Sequence, residues 1–214
     1  MSELTAPAKR FGYSEKVIEH FKNPRNIGKM ENPDITAKVG SVACGDLIKL
    51  YLKIDKEKNT IQEIKFESYG CAANIATSSV MTELVKGKSL DEALKLTFKD
   101  ISDELGGLPK IKLHCAVLSR QSLDSAIYKY KANQGLVPLD EAFVRKILRG
   151  VLDPIEGTDI ISANMVEKIV VDNRKITIWL KIPEGSDLAE SVSADIKDAF
   201  EGLKADMILK FQSA

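Results

Sequence analysis

Residues 47–88 read LIKLYLKIDKEKNTIQEIKFESYGCAANIATSSVMTELVKGK, and the period of their apolar side chains changes once, at Cys71. Before Cys71 the period is two. Ile48, Leu50, Leu52 and Ile54 share one face, while Lys49, Tyr51 and Lys53 share the other, the pattern of a half-buried strand. DKEKNT turns the chain, and IQEIKFES returns as a second strand with Ile64 and Phe66 inward. After Cys71 the period lengthens. Ile75, Val80, Met81, Leu84 and Val85 recur at helical spacing until Gly87 stops the helix. A hairpin that hands its chain to a helix predicts a small α+β unit.

On the N-terminal side, Ser14 caps a short predicted helix, SEKVIEHFKN, that stops at Pro24, and NPRNIGKMENPD follows as loop. On the C-terminal side, Ser89 and Glu92 form a capping box that opens a helix over LDEALKLTF. Gly106, Gly107 and Pro109 break the chain before a long helix from about His114 to Lys131, with Val117, Leu118, Leu123, Ala126, Ile127 and Tyr130 apolar. ANQGLVPLDEA (132–142) divides the chain: Gly135 ends one helix, Pro138 permits a new start and Asp140 serves the next first turn. Beyond it come a helix (EAFVRKILRG), a turn (LDPIEGTD), strands MVEKIVV and KITIWLKI, a helix (DLAESVSADIKDAFEGL) and a last strand, KADMILKF. Ile176, Ile178, Leu180 and Ile182 point one way and Trp179 the other. The fold class expected is α+β: two small domains, residues 1–134 and 135–214, each a mainly antiparallel sheet packed with helices, with no internal repeat.

Lys and Arg total 31 and Asp and Glu total 31, so the 214-residue chain carries no net charge. No basic field is present to hold a phosphate backbone, which argues against nucleic acid as a partner. No apolar run approaches the about 18 residues of a membrane span. MSELTAPAKRFGYSEK lacks the apolar stretch of a secretory signal, and Glu3 and Glu15 interrupt any transit-peptide pattern, so the expected compartment is cytoplasmic.

Three cysteines cannot all pair within the chain, and in a reducing compartment they are thiols, ligands or sulfur carriers. No CxxC occurs. Cys44 precedes a strand, with Gly45 and Asp46 following it; Cys71 sits where a strand hands over to a helix; His114 and Cys115 open another helix. Helix N-termini favour thiolates, so Cys71 and Cys115 are both expected to have lowered pKa values. Taken singly, each reads as an ordinary buried cysteine. Together, at junctions flanked by Gly, Asp or His, they also read as a metal or sulfur site, and thiolate with imidazole suits zinc or iron–sulfur chemistry. A Cys–His hydrolase fits poorly: neighbours at a helix start project about 100° apart, and no oxyanion-hole signature accompanies His114–Cys115.

YSEKVIEHFKNPRNIGKM (13–30), ACGDLIKLYLKID (43–55), YGCAANIATSSVMTELVKGKS (69–89) and LPKIKLHCAVLSRQSLDSAIYKYK (108–131) closely resemble the IscU/NifU-type iron–sulfur cluster assembly scaffolds over about residues 12–133. The resemblance implies that Cys44, Cys71 and Cys115 are cluster ligands, with Asp46 and His114 competing for the fourth position. It implies a labile [2Fe-2S] cluster built from iron and sulfur, with zinc as an alternative occupant held by Asp46, Cys71, His114 and Cys115. A cysteine desulfurase would donate sulfur, Cys115 would receive it as persulfide, a ferredoxin would supply electrons, and apo iron–sulfur client proteins would take the product. Such a protein is a carrier, not a turnover enzyme. The alternative is a zinc-binding persulfide acceptor that regulates a desulfurase without building clusters. Members served by a dedicated Hsp70-type chaperone carry Leu-Pro-Pro-Val-Lys before the His-Cys pair; here Lys110 replaces the second proline, which counts against that partner.

Full-length NifU proteins carry a ferredoxin-like middle domain and a CxxC-containing C-terminal domain, and this chain has neither. Residues 138–211 instead resemble the small cysteine-poor domain of Mrp-type and SufT-type iron–sulfur maturation proteins, through VLDPIEGTDIISANMVEKIVV and the strands and helix after it. By its residues alone, DPIEG reads as a turn closed by Asp153 and Gly157. The resemblance adds a patch for docking a client or partner.

Overall fold

Ser14 begins the first element by accepting the Val17 amide at 3.1 Å, and the helix α1, Glu15–Lys22, ends at Asn23 against Pro24. The structure is a computed structural model that describes residues 12–41 and 45–212. Strands β1 (Ile35–Ser41), β2 (Asp46–Asp55) and β3 (Thr60–Tyr69) form an antiparallel sheet in chain order. Its register sets Ala37 and Phe66 on either side of Leu50, and Ile35 and Ile64 on either side of Leu52. This row makes one face of the sheet apolar, and Leu50, Leu52, Ile64 and Phe66 are fully buried beneath helices. Tyr51, expected on the polar face, is buried as well, and its hydroxyl bonds Glu67 on β3.

Helix α2 (Ala72–Val85) is wedged between α1 and the sheet, so polar as well as apolar side chains on it are enclosed. The predicted helix over 90–98 is instead two. α3 (Leu90–Ala93) opens on the Ser89–Glu92 capping box, and a second capping box, Thr97–Asp100, pulls Thr97 into extended backbone and starts α4 (Phe98–Glu104). A short 3₁₀ turn, Lys110–Lys112, then leads into the 21-residue α5, Leu113–Asn133.

Asp140 caps α6 (Glu141–Leu148) by accepting the Phe143 amide at 2.8 Å. Strands β4 (Val166–Asp172), β5 (Lys175–Pro183) and β6 (Asp206–Gln212) form a second sheet in that order, with α7 (Asp187–Ala199) between the last two. β4 pairs antiparallel to β5, but β6 runs parallel to it, so this sheet is mixed. The cause is α7: a crossover helix returns the chain to the same end of the sheet, where a hairpin would reverse it. Ile176, Ile178, Leu180 and Ile182 are buried under α6 and α7, while Trp179 lies on the outer face between Lys168 and Lys210, whose ammonium groups stand 5.3 and 5.0 Å from its ring.

The two halves touch. Lys38 pairs with Asp198, Lys49 with Glu201 at 3.0 Å, and the Gly40 amide donates to the Gly150 carbonyl at 3.1 Å. α7 therefore packs along β1, and the start of the 150s is fastened to the strand that leads into the candidate ligand loop. No helix among the described residues is long and apolar enough to cross a membrane.

Candidate metal centre

Asp46 opens β2, Cys71 is the N-cap of α2, and His114 and Cys115 are the second and third residues of α5. Three of the five candidate residues, Asp46, Cys71 and Cys115, are thus brought to one point by three elements, and His114 stands beside two of them. Cys44 lies outside the described residues. The Cys71 and Cys115 sulfurs are 3.7 Å apart, and the Asp46, Cys71 and Cys115 ligand atoms all lie within 4.8 Å of one another. His114 completes the ring: Nε2 is 3.1 Å from Asp46 Oδ2 and 3.4 Å from Cys115 Sγ. Two thiolates on one tetrahedral metal with bonds of about 2.3 Å sit about 3.8 Å apart, so the sulfur spacing fits a shared metal. It is far too long for a disulfide, about 2.05 Å.

Local chemistry explains why the chain folds this way. The Cys71 amide donates to Asp46 Oδ1 at 3.2 Å, tying the start of α2 to the start of β2. Gly70 is required there, because a Cβ would stand 2.2 Å from the same carboxylate oxygen. Below the sulfurs, α2 and α5 are joined by small hydroxyls: Ser119 Oγ donates to Thr77 Oγ1 at 2.9 Å, and Thr77 Oγ1 to the Cys115 carbonyl at 3.3 Å. Buried hydroxyls satisfied by each other let two helices approach closely and fix the height of Cys115 relative to Cys71.

The two thiols behave differently, contrary to the expectation that both are lowered. Cys71 is held down to about 5, first by its hydrogen bond with Cys115, then by the Asn74 amide and Lys112, against its partial burial. Cys115 is pushed up, first by that same hydrogen bond to the Cys71 thiolate, then by burial and by the charges on Cys71 and Asp46. The pair shares one proton, which sits on the buried member. Lys112 and Tyr13 both hydrogen-bond Cys71, and neither was singled out from sequence. Their signal was position alone: Lys112 stands two residues before His114, and Tyr13 just before the Ser14 cap. Iodoacetamide at pH 6–7 is expected to label Cys71 well ahead of Cys115 in the metal-free protein, with the Cys71 rate collapsing as pH falls through about 5. Peptide mapping by mass spectrometry reads both sites, and equal labelling would contradict the shared proton.

A family model described as NifU-like N terminal domain matches residues 12–136, and one described as Iron-sulfur cluster assembly protein matches residues 141–207. The chain is 49% identical over 125 residues to a protein of Archaeoglobus fulgidus named iron-sulfur cluster assembly scaffold protein IscU 1, covering 58% of this chain and 80% of that one. It is 47% identical over 126 residues to the scaffold protein IscU of Haemophilus influenzae, covering 58% of this chain and 98% of that one. Against the nitrogen fixation protein NifU of Trichormus azollae it is 37% identical over 209 residues, covering 90% of this chain and 64% of the relative's length.

Proposed function

The chain belongs to the NifU-like N-terminal domain family through residues 12–136, and from that membership we propose that it is a scaffold on which an iron–sulfur cluster is assembled and from which it is passed on. The observation that carries this reading is the convergence of the Asp46, Cys71 and Cys115 ligand atoms within 4.8 Å of one another, with His114 beside Asp46 and Cys115 and a sulfur spacing that suits a shared metal. Relatives with the same domain are named as scaffolds for this assembly.

In this proposal the cluster is cargo. Cys71, Cys115 and Cys44 are its sulfur ligands, and the fourth position falls to Asp46 or His114. Three soft ligands and one harder one hold a [2Fe-2S] unit less firmly than four cysteines would. A scaffold must let go, so the imperfect set serves release. Sulfur enters as persulfide from a cysteine desulfurase, with Cys115 the acceptor, a ferredoxin-type donor supplies electrons, and apo-proteins receive the product. Cys71, already a thiolate and hydrogen-bonded to Lys112, is the group that first engages iron. Zinc suits the same four donors. Residues 135–214 act as an accessory domain to the scaffold of residues 1–134.

Anaerobic addition of iron, cysteine and a desulfurase tests the proposal. Visible absorbance with matching iron and sulfide per chain is expected, and persulfide without iron or colour would return the protein to a sulfur acceptor. Asp46→Ala is expected to hold its cluster several-fold longer during timed transfer to an apo-ferredoxin, because the hard ligand that is easiest to displace is gone. Faster loss from the variant would sink the role given to Asp46.

A further inference from the structure

A cleft of about 320 Å³ opens directly off the Asp46 and His114 side of the sulfur pair. Asp46, His114 and Gln121 line it from the first half of the chain, and Arg149, Leu152 and Asp159 from the second. The second wall is anchored. The Gly150 carbonyl, next to Arg149, accepts the Gly40 amide at 3.1 Å, and Gly40 is one residue from Ser41, which pairs with Asp46. Beyond it, Asp159 Oδ1 accepts the Ile161 and Ser162 amides at 3.1 and 2.9 Å, which closes the turn. The Arg149 guanidinium lies 3.8 Å from Asp159 Oδ2 and donates to Ser162 Oγ at 3.5 Å. Its side chain remains more than half exposed toward the cleft and solvent.

Asp46 and His114 are the ligands that a departing cargo exchanges first, because carboxylate and imidazole grip iron less strongly than thiolate. Whatever replaces them has to reach the metal from their side, and the cleft is the space on that side. The replacing group in iron–sulfur chemistry is a thiolate. An anion entering between Asp46 and Asp159 meets two carboxylates, and Arg149, which pairs with Asp159 and lines the same cleft, neutralises one of them and offers the entering anion a partly exposed cation.

We infer that this cleft is the entry path for the incoming thiolate, and that Arg149, contributed by the second half of the chain, draws the thiolate toward the Asp46–His114 corner. The inference rests on the scaffold reading and gives the second half a task within it. In the exchange, the entering thiol gives its proton to water and its sulfur donates an electron pair to the metal. The Asp46 oxygen or the His114 nitrogen leaves with its own pair. No electron changes hands.

The thiolate's source is either a small free thiol or a cysteine-bearing segment of an acceptor polypeptide, and one titration separates them. The full chain is loaded with Co²⁺, whose charge-transfer bands report each bound thiolate. It is then titrated with 2-mercaptoethanesulfonate, with uncharged 2-mercaptoethanol and with a short Cys-containing peptide. Arg149→Ala is expected to raise the half-saturating concentration of the anionic thiol about fivefold, the scale of one partly exposed charge contact. Gln121→Trp, which fills the cleft from the α5 side, is expected to slow entry of every thiol that uses it. An effect confined to the peptide assigns the cleft to polypeptide acceptors, and one confined to the small thiols assigns it to free thiols; both support the path. Titrations unchanged in both variants, with the protein's own cobalt–thiolate bands intact, overturn it while leaving the scaffold reading in place. Absence of those bands from the wild-type protein would remove the shared metal site itself, and this inference with it.

Discussion

Cys71→Ala is expected to abolish stable loading: iron and sulfide per chain fall to background after anaerobic reconstitution, and no visible cluster bands persist. The effect is larger than for any other single ligand because the Cys71 sulfur does two things. It is the sulfur 3.7 Å from Cys115, so its loss leaves no pair of thiolates at metal-sharing distance among the described residues. It carries the pair's negative charge in the metal-free protein, so the first attraction for a cation goes with it. The backbone amide that holds Asp46 Oδ1 survives the substitution, so the loss is of the sulfur alone. The substitution has a second, independent signature. The hydrogen bond to Cys71 is the largest reason that Cys115 is held up, so removing it is expected to let Cys115 titrate closer to an ordinary thiol. Alkylation of Cys115 then begins at lower pH in the variant than in the parent protein. Unchanged iron and sulfide content, or an unmoved Cys115 profile, would refute the role.

The contrast with Asp46→Ala separates two kinds of ligand by direction. Losing a soft ligand empties the site, whereas losing the hard one prolongs occupancy. A purely structural zinc site predicts weakening in both cases, since every ligand there contributes to retention.

How much of this was legible in the sequence depended on whether the deciding contact was local. The β2–β3 hairpin was readable because Ile48 to Ile54 alternate without interruption, and the long helix after His114 because its apolar positions recur over about four turns. β1 lies between the loop read over 23–34 and the strand read from 47, in a stretch to which the sequence reading assigns no element. Its alternation, Ile35, Ala37 and Val39, is short and ends at Gly40, and pairing with β2 is what makes it a strand. The break at Thr97 was hidden because a capping box at Thr97–Asp100 looks, by composition, like the middle of a polar helix face. At the site, three ligand segments could be marked by residue type, yet the unequal state of the two thiols could not. That state depends on a 3.7 Å distance across 44 residues of chain. The cleft beside Asp46 was equally invisible, since its two walls come from halves of the chain that share no local pattern.

Residue type alone gives no sign of where Lys129 lies, and Lys129 carries the second large prediction. On a helix it would be placed in solvent, but it is fully buried, with Nζ donating to the Ala199 and Glu201 carbonyls at 2.9 and 2.8 Å. Those carbonyls lie at and just beyond the end of α7, where the last turn leaves acceptors without intrahelical partners and favours a cation. Lys129 therefore fastens the second half of the chain to α5, the helix that carries His114 and Cys115. Lys129→Ala is expected to cost about 3 kcal/mol in denaturant unfolding, from the cavity left by the side chain and two acceptors stripped of their donor. Burial also pushes Lys129 down to about 7, from 10.5 for a free lysine. Between those values the unfolded chain binds a proton that the folded chain does not, so this group makes stability rise with pH from about 7 toward 10.5 and leaves its full penalty in place below 7. Lys129→Met keeps the length of the side chain and cannot titrate. Its stability is expected to be flatter than the parent's across that window, with the difference between the two curves isolating Lys129 from every other base. Parallel curves would mean that Lys129 keeps its proton throughout, held by the two α7 carbonyls, and the pH-dependent part of the prediction would fall while the cost of Lys129→Ala would stand.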